Sequence, residues 1–222
     1  ECRESDGVFP IGYPELPPAG EREAAGRERL LRMGVDPSRL VCWFLGSFGD
    51  TYDLDTAIHA ARALQRSGDV RAQFVFSGDG EKNRKWRDAA ADLHNVVFTG
   101  WLNEEEIRAA MRLAHVGLAA YRPGAPQGLP NKFFEYLAAG LPVVSSLEGE
   151  GRRFLEENRC GLSYTAGDSA ALQAILQRLA ADAPHREALS AQSKRTFSSG
   201  YCATVVYGRL GEHLERWDRR AG

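Results

Sequence analysis

Long apolar runs, paired cysteines, a charge excess of either sign and the usual glycine fingerprints of nucleotide-binding loops are all scarce in this 222-residue sequence. The longest apolar stretches fall far short of the ~20 residues a helix needs to cross a bilayer, and no signal peptide is visible. Cys2, Cys42, Cys160 and Cys202 show no short spacing. That excludes a zinc pattern and a disulfide framework, and makes a reducing cytoplasm the expectation. Lys and Arg number 28 against 30 Asp and Glu, a formal net charge of -2, whereas a dedicated nucleic-acid binder is normally basic. Repeats and low-complexity tracts are missing too, so solenoid and disordered readings fall away.

What remains is an ordinary globular composition, 43% hydrophobic and 26% charged, on a chain long enough to bury a sizeable core. The first twenty residues, ECRESDGVFPIGYPELPPAG, lack an initiating Met and run through Pro and Gly. They read as an arm or linker leading out of something upstream, so the chain is expected to be a fragment. From Glu21 a regular alternation begins. EREAAGRERLLRMG has helical composition; LVCWFLG (Leu40–Gly46) is a continuous apolar run of strand length, followed by LDTAIHAARALQRSG at helical period. AQFVFSG precedes a helix around KWRDAAADL, NVVFTG precedes NEEEIRAAMRLA, and VGLAAY precedes a helix after Pro130. PVVSS leads to EGRRFLEE, GLSYTA to DSAALQAILQRLAAD, and a last helix is expected over Tyr201–Arg219. Apolar runs without alternation suit strands buried on both faces, and strand–helix repetition means parallel order. The expectation is α/β: one Rossmann-like, doubly wound sheet of about six strands over residues 21–222.

Such sheets bind ligands beyond the carboxyl ends of their strands, which directs attention to four strand-to-helix turns. GSFGDTYD (Gly46–Asp53) offers two glycines three apart, Gly46 and Gly49, around Ser47 and Phe48. It matches neither the dinucleotide nor the P-loop pattern. SGDGEKNRKW places Gly78 and Gly80 at a strand end, with Lys82, Arg84 and Lys85 expected on a solvated face. FTGWLNEEE sets Trp101 and Leu102 after Gly100, as an aromatic wall or as packing over the sheet edge, and gives Asn103 and Glu106 capping-box spacing. The fourth turn, RPGAPQGLPNKFFE, is long, rich in Pro and Gly, and abuts a helix N-terminus, which favours anions.

The helix within GLPNKFFEYLAAGLPVV poses a question of its own. Pro130 suits the first helical position, and Gly140 with Pro142 close the helix. Phe133, Phe134, Leu137 and Ala138 share one face, while Lys132 and Glu135 sit side by side near the N-terminal end of the other. An ion pair accounts for the second pair, and so does a ligand carrying phosphate and hydroxyls. The five histidines (His59, His94, His115, His185 and His213) have no catalytic spacing.

Taken in order, GSFG, FSGDG, NVVFTGWLNEEEI and GLPNKFFEYLAAGLPVVSS resemble the C-terminal, donor-binding half of a group 1 retaining glycosyltransferase of GT-B architecture, from about Gly7 to the end of the chain. The resemblance implies that Glu135 holds the ribose diol of a nucleotide-sugar, and that Gly46–Gly49 with Asn131 and Lys132 hold its diphosphate. Gln127, Gly128 and Leu129 would then face the donor sugar. FPIGYP would be the linker entering this half, and the last helix the one that crosses back. Two positions depart from the pattern. Gln127 stands where many members carry a Glu close to the donor sugar, so a catalytic role there carries over poorly. Tyr52 stands where many carry a diphosphate-binding Lys. The implied activity is transfer of a hexose or N-acetylhexosamine from a UDP- or GDP-sugar to a glycan or lipid-linked acceptor held by an N-terminal domain that this chain lacks. The nucleotide-sugar is a substrate; no cofactor and no metal are implied, since the helix dipole and a cation can serve the diphosphate. A cytoplasmic enzyme touching the inner face of the membrane peripherally is the matching expectation. A GT-B epimerase, a NAD-dependent oxidoreductase domain and a non-catalytic nucleotide-binding module are the competing readings. The oxidoreductase is disfavoured by the missing glycine fingerprint.

Overall fold

In the computed structural model, residue 7 and residues 9–221 are described. Six parallel strands form one sheet in the order β3-β2-β1-β4-β5-β6. They are β1 (Leu40–Leu45), β2 (Ala72–Ser77), β3 (Val96–Gly100), β4 (Val116–Ala119), β5 (Val143–Ser145) and β6 (Gly161–Ser163). The helices are α1 (Glu21–Arg32), α2 (Leu54–Arg66), α3 (Asn83–Ala89), α4 (Glu104–Leu113), α5 (Asn131–Ala138), α6 (Glu150–Asn158), α7 (Ser169–Ala181), α8 (Ala183–Gly200) and α9 (Ala203–Ala221).

The central strands are mostly apolar because both sheet faces are covered, and the buried polar side chains among them are hydrogen-bonded, Gln73 donating to the Gly34 carbonyl and Ser77 accepting from the Trp43 indole. Val41 and Trp43 of β1 and Val75 of β2 join a core with residues of α1, α4, α5 and α6. Leu40, Cys42 and Phe44, with Phe74 and Phe76, join a second core with residues of α2 and α7. This division is the two-residue side-chain period of a strand read on two sides. The order reverses between β1 and β4, which puts a crevice beyond Leu45 and Ala119.

The helix starts follow local rules. Asp53 accepts from the Thr56 amide at 3.1 Å, and Asn103 and Glu106 form a reciprocal capping box. At the end of α5, Gly140 adopts φ 73° and Leu141 donates to the Tyr136 carbonyl, a Schellman closure. Pro130 caps α5 in an extended conformation (φ -78°, ψ 147°) rather than occupying its first helical position. α3 stops at Ala89 instead of running to Leu93. Helix α8 has no counterpart in the sequence reading. Its buried face consists of Leu189, Ser193, Thr196 and Phe197, and the two hydroxyl residues break the apolar stripe. Ser193 reaches the Cys160 carbonyl at 3.1 Å, so its burial costs little. Before α1, the chain lies against the end of α8: Tyr13 donates to the Tyr201 carbonyl and accepts from the Ala203 amide.

The first two glycine turns are fastened to one another. Gly46 donates to Ser77, Phe48 donates to Asp79, and Lys82 donates back to Phe48, all through the backbone. Gly78 has φ 137°, and a Cβ there would stand 1.9 Å from the Gly46 carbonyl oxygen. Gly78→Ala is therefore expected to destabilise the protein by about 2 kcal/mol or more, through backbone strain and steric displacement together. A melting temperature within a degree or two of wild type would show that the two turns separate easily.

Candidate functional site

The crevice at the strand-order reversal holds a cavity of about 590 Å³. Leu45 and Gly46 form its floor, Tyr52 and Tyr121 one side, Trp101, Leu102 and Ile107 another, and Gln127 to Glu135 the lip, Gly128 and the inward-packed Phe133 and Phe134 excepted. Of the residues singled out from sequence, Gly46, Trp101, Leu102, Gln127, Leu129, Asn131, Lys132 and Glu135 meet here. Others do not line it. Phe48 is fully buried against Trp86 and Phe98, a core residue of the second turn's packing. Gly78 and Gly80 have the Gly46–Phe48 backbone packed against them, which accounts for glycine at both positions. Ser47, which is exposed, and Gly49 are not in the cavity lining, and Gly128 opens onto a neighbouring cavity. Tyr121 and Ile107 were not singled out. The position of Tyr121 just past β4 was the available signal; Ile107, inside a helix, offered none.

Lys132 does not lie beside Glu135. Its side chain turns down to the carboxyl end of β1, where Nζ donates to the Leu45 carbonyl. The ammonium sits 4.2 Å from the Phe44 ring centroid and 4.8 Å from that of Tyr52. Gly46 makes room for it, since a Cβ there would come within 2.9 Å of Nζ. Among the described residues no ion pair joins Lys132 to a carboxylate. Burial pushes its ammonium down to about 7, opposed by the charge of Glu135. The ring faces act in the same direction as Glu135, favouring the cation. A buried cation lacking a counter-ion at a cavity wall is arranged to receive an anion.

Glu135 lies one turn further along α5, half-buried. Burial holds its carboxyl above the ordinary range, and the Lys132 charge partly offsets this. Tyr136, on the next position, is fully buried; its hydroxyl donates to the Leu118 carbonyl at 3.0 Å and accepts from the Leu45 amide at 3.2 Å. α5 is thereby pinned to β1 and β4, and the positions of Lys132 and Glu135 are fixed relative to the strand ends. Tyr52 and Tyr121 pair across an antiparallel bridge with ring centroids 5.1 Å apart, and burial pushes both phenols up. The start of α5 has no side-chain cap, so its first amides are available to a ligand. Trp101 is 62% exposed at the rim, an uncovered aromatic face. Cation and helix start suit phosphate, the carboxylate suits a diol, and Trp101 with Leu102 and Ile107 suits a flat heterocycle.

The cations after the second turn are engaged elsewhere. Lys82 pairs with Asp50 across the two turns, Lys85 of α3 with Asp55 of α2, and Arg84 with Asp88. Contrary to the expectation that no Asp-x-Asp motif is present, the start of α2 carries that spacing in Asp53-Leu54-Asp55. Its first carboxylate caps α2 and its second is the Lys85 partner. Among the described residues no three His, Cys, Asp or Glu side chains converge as a metal site. His115 is engaged as well, accepting from the Val41 amide at 3.1 Å. No described helix is long and apolar enough to cross a membrane.

Residues 39–182 match the family model described as glycosyl transferases group 1. The chain is 31% identical over 209 residues to the amylovoran biosynthesis glycosyltransferase AmsK of Erwinia amylovora, covering 86% of this chain and 51% of that protein. Its fold is similar to that of WaaG, a glycosyltransferase involved in lipopolysaccharide biosynthesis, with TM-score 0.71 at 19% identity over 91% of this chain and 55% of that one. It is also similar to Anabaena Alr3699/HepE in complex with UDP-glucose, with TM-score 0.73 at 16% identity over 95% and 57%. The chain thus spans about half the length of these relatives.

Proposed function

Because the chain belongs to the group 1 glycosyl transferases, we propose that it is the part of such an enzyme that binds the nucleotide-sugar donor in the cavity at the β1–β4 reversal. The intact enzyme moves a hexose or N-acetylhexosamine from a UDP- or GDP-sugar, with retention, to a glycan or lipid-linked acceptor presented by a second domain. The observation that carries this reading is the pairing on α5 of a buried cation without a counter-ion and a carboxylate one turn deeper, at an uncapped helix start. The diphosphate lies against Lys132 and the first amides of α5, where charge on the departing nucleoside diphosphate is neutralised. Glu135 accepts from both ribose hydroxyls, and the base lies against Trp101, Leu102 and Ile107. Gln127 offers a neutral hydrogen bond to the sugar and no charge to an oxocarbenium-like centre. The helix α9 and the Ile11 segment leave Ile11, Tyr207, Leu214 and Trp217 exposed, an apolar edge in keeping with a neighbouring domain.

Titration with UDP, GDP and NAD tests this reading. One of the two diphosphates is expected to bind, NAD at least tenfold more weakly, and the chain alone is expected to transfer no sugar. Comparable affinity for NAD would favour the oxidoreductase reading, and robust transfer by this chain alone would remove the need for a second domain.

A further inference from the structure

A second cavity, of about 370 Å³, lies on the other side of Gln127 from the nucleotide pocket, between the loop after β4 and the turn from β5 to α6. Gln127 lines both cavities, and its carboxamide oxygen is buried with no hydrogen-bond partner among the described residues. Facing it across the second cavity is Glu150, the first residue of α6. A Cβ on Gly128 would stand 2.6 Å from Glu150 Oε2, so the carboxylate approaches the very backbone that carries Gln127. Glu150 is exposed, and among the described residues nothing donates a hydrogen bond to it or pairs with its charge. An unpaired carboxylate and an orphaned amide oxygen thus share one cavity that adjoins the diphosphate site.

Resting on the donor reading above, we propose that this cavity receives the transferred sugar, and that Glu150 is a specificity-determining residue accepting hydroxyls of that sugar. Position 127, the side chain shared with the nucleotide pocket, is a neutral amide, and Glu150 brings a carboxylate into the same cavity, against Gly128, from another element. A carboxylate presents acceptors only and takes two adjacent hydroxyls at once, which suits a neutral pyranose with vicinal hydroxyls. The same negative charge disfavours an anionic sugar such as a uronic acid. Gln127 completes the ring of acceptors through its unpaired oxygen.

The test measures, by calorimetry on this chain, the affinity for UDP and GDP and for UDP-glucose, UDP-N-acetylglucosamine and GDP-mannose, in wild type, Glu150→Ala and Glu150→Gln. In Glu150→Ala the ratio of nucleotide-sugar to nucleoside diphosphate affinity is expected to fall at least fivefold for the best-bound sugar, with diphosphate affinity within twofold of wild type. Glu150→Gln, which keeps the shape and one acceptor oxygen, should fall in between. A ratio unchanged by Glu150→Ala overturns the proposal while leaving the donor reading intact. So does an equal loss for diphosphate and nucleotide-sugar, which would mark Glu150 as a support for the loop. Wild type that binds neither UDP nor GDP refutes the donor reading itself, and this proposal with it.

Discussion

Glu135→Ala is expected to lower affinity for the nucleoside diphosphate at least tenfold while changing the melting temperature of the free protein little. The reason lies in what Glu135 does without a ligand. Its carboxyl is half-buried, held above its ordinary range by that burial, and among the described residues it makes no ion pair. Removing it relieves that burial and also takes away a charge that favours the Lys132 ammonium, so the two effects on the free fold oppose one another. In the complex it would accept hydrogen bonds from ribose hydroxyls, each contributing roughly 1.5–3 kcal/mol when one partner is charged. A loss of about 1.4 kcal/mol is already tenfold. Had Glu135 been paired with Lys132, its removal would have left an uncompensated buried ammonium and lowered stability markedly. Calorimetry and thermal melting on the same preparation separate the two cases: unaltered affinity with a lower melting temperature would make Glu135 a structural residue.

The second large effect is expected at Lys132. Lys132→Met keeps the length and fills the space among Phe44, Tyr52 and Tyr136 while deleting the charge. Affinity for UDP-glucose or GDP-mannose should fall tenfold to about a hundredfold, the size of one or two charge-assisted contacts, with affinity for the bare nucleoside changed far less. The pH dependence follows from the depressed ammonium. In the free protein it titrates near 7, and a bound diphosphate favours the charged form. Donor binding therefore takes up a proton above pH 7, and affinity should fall as pH rises through 7 toward 9, at most about tenfold per unit. Tyr52, Tyr121 and Tyr136, which surround Lys132, are all pushed upward by burial and stay neutral across this window. For folding the sign is opposite. Between about 7 and the ordinary lysine value the unfolded chain binds more protons, so this group's contribution to stability rises with pH. Lys132→Met should flatten both slopes. A methionine variant with wild-type donor affinity and an unchanged pH profile would remove Lys132 from the site.

These effects depend on a geometry only partly legible in the sequence. The strands were plain because a sheet covered on both faces demands largely apolar runs; LVCWFL is unbroken, and AQFVFS is interrupted only by Gln73 and closed by Ser77. The capping box at Asn103 was legible because it is a local hydrogen-bonding pattern. Helix α8 was not, because its inward face is built on Ser193 and Thr196 as well as Leu189 and Phe197; Ser193 is satisfied by the distant Cys160 carbonyl, and the buried Thr196 hydroxyl has no hydrogen-bond partner among the described residues. Helical spacing placed Lys132 and Glu135 on one stretch of α5 but said nothing of where a four-carbon side chain bends. Only the packed structure shows Lys132 folded under Tyr52 toward Leu45. Glycines at a strand end are ambiguous in the same way. Gly46 clears space at the cavity, whereas Gly78 and Gly80 clear space for a neighbouring turn. Glu150 carried no pattern at all, since its nearness to Gly128 joins residues from separate strand–helix units.

The most direct measurement is a calorimetric comparison, on the wild-type chain, of UDP and GDP with their 2′,3′-dideoxy analogues. If the α5 cavity holds a nucleoside diphosphate with Glu135 on its ribose, the preferred nucleotide binds at least tenfold more tightly than its dideoxy counterpart, and Glu135→Ala erases the difference. Equal affinity of wild type for the two, or no binding of either diphosphate, would contradict it.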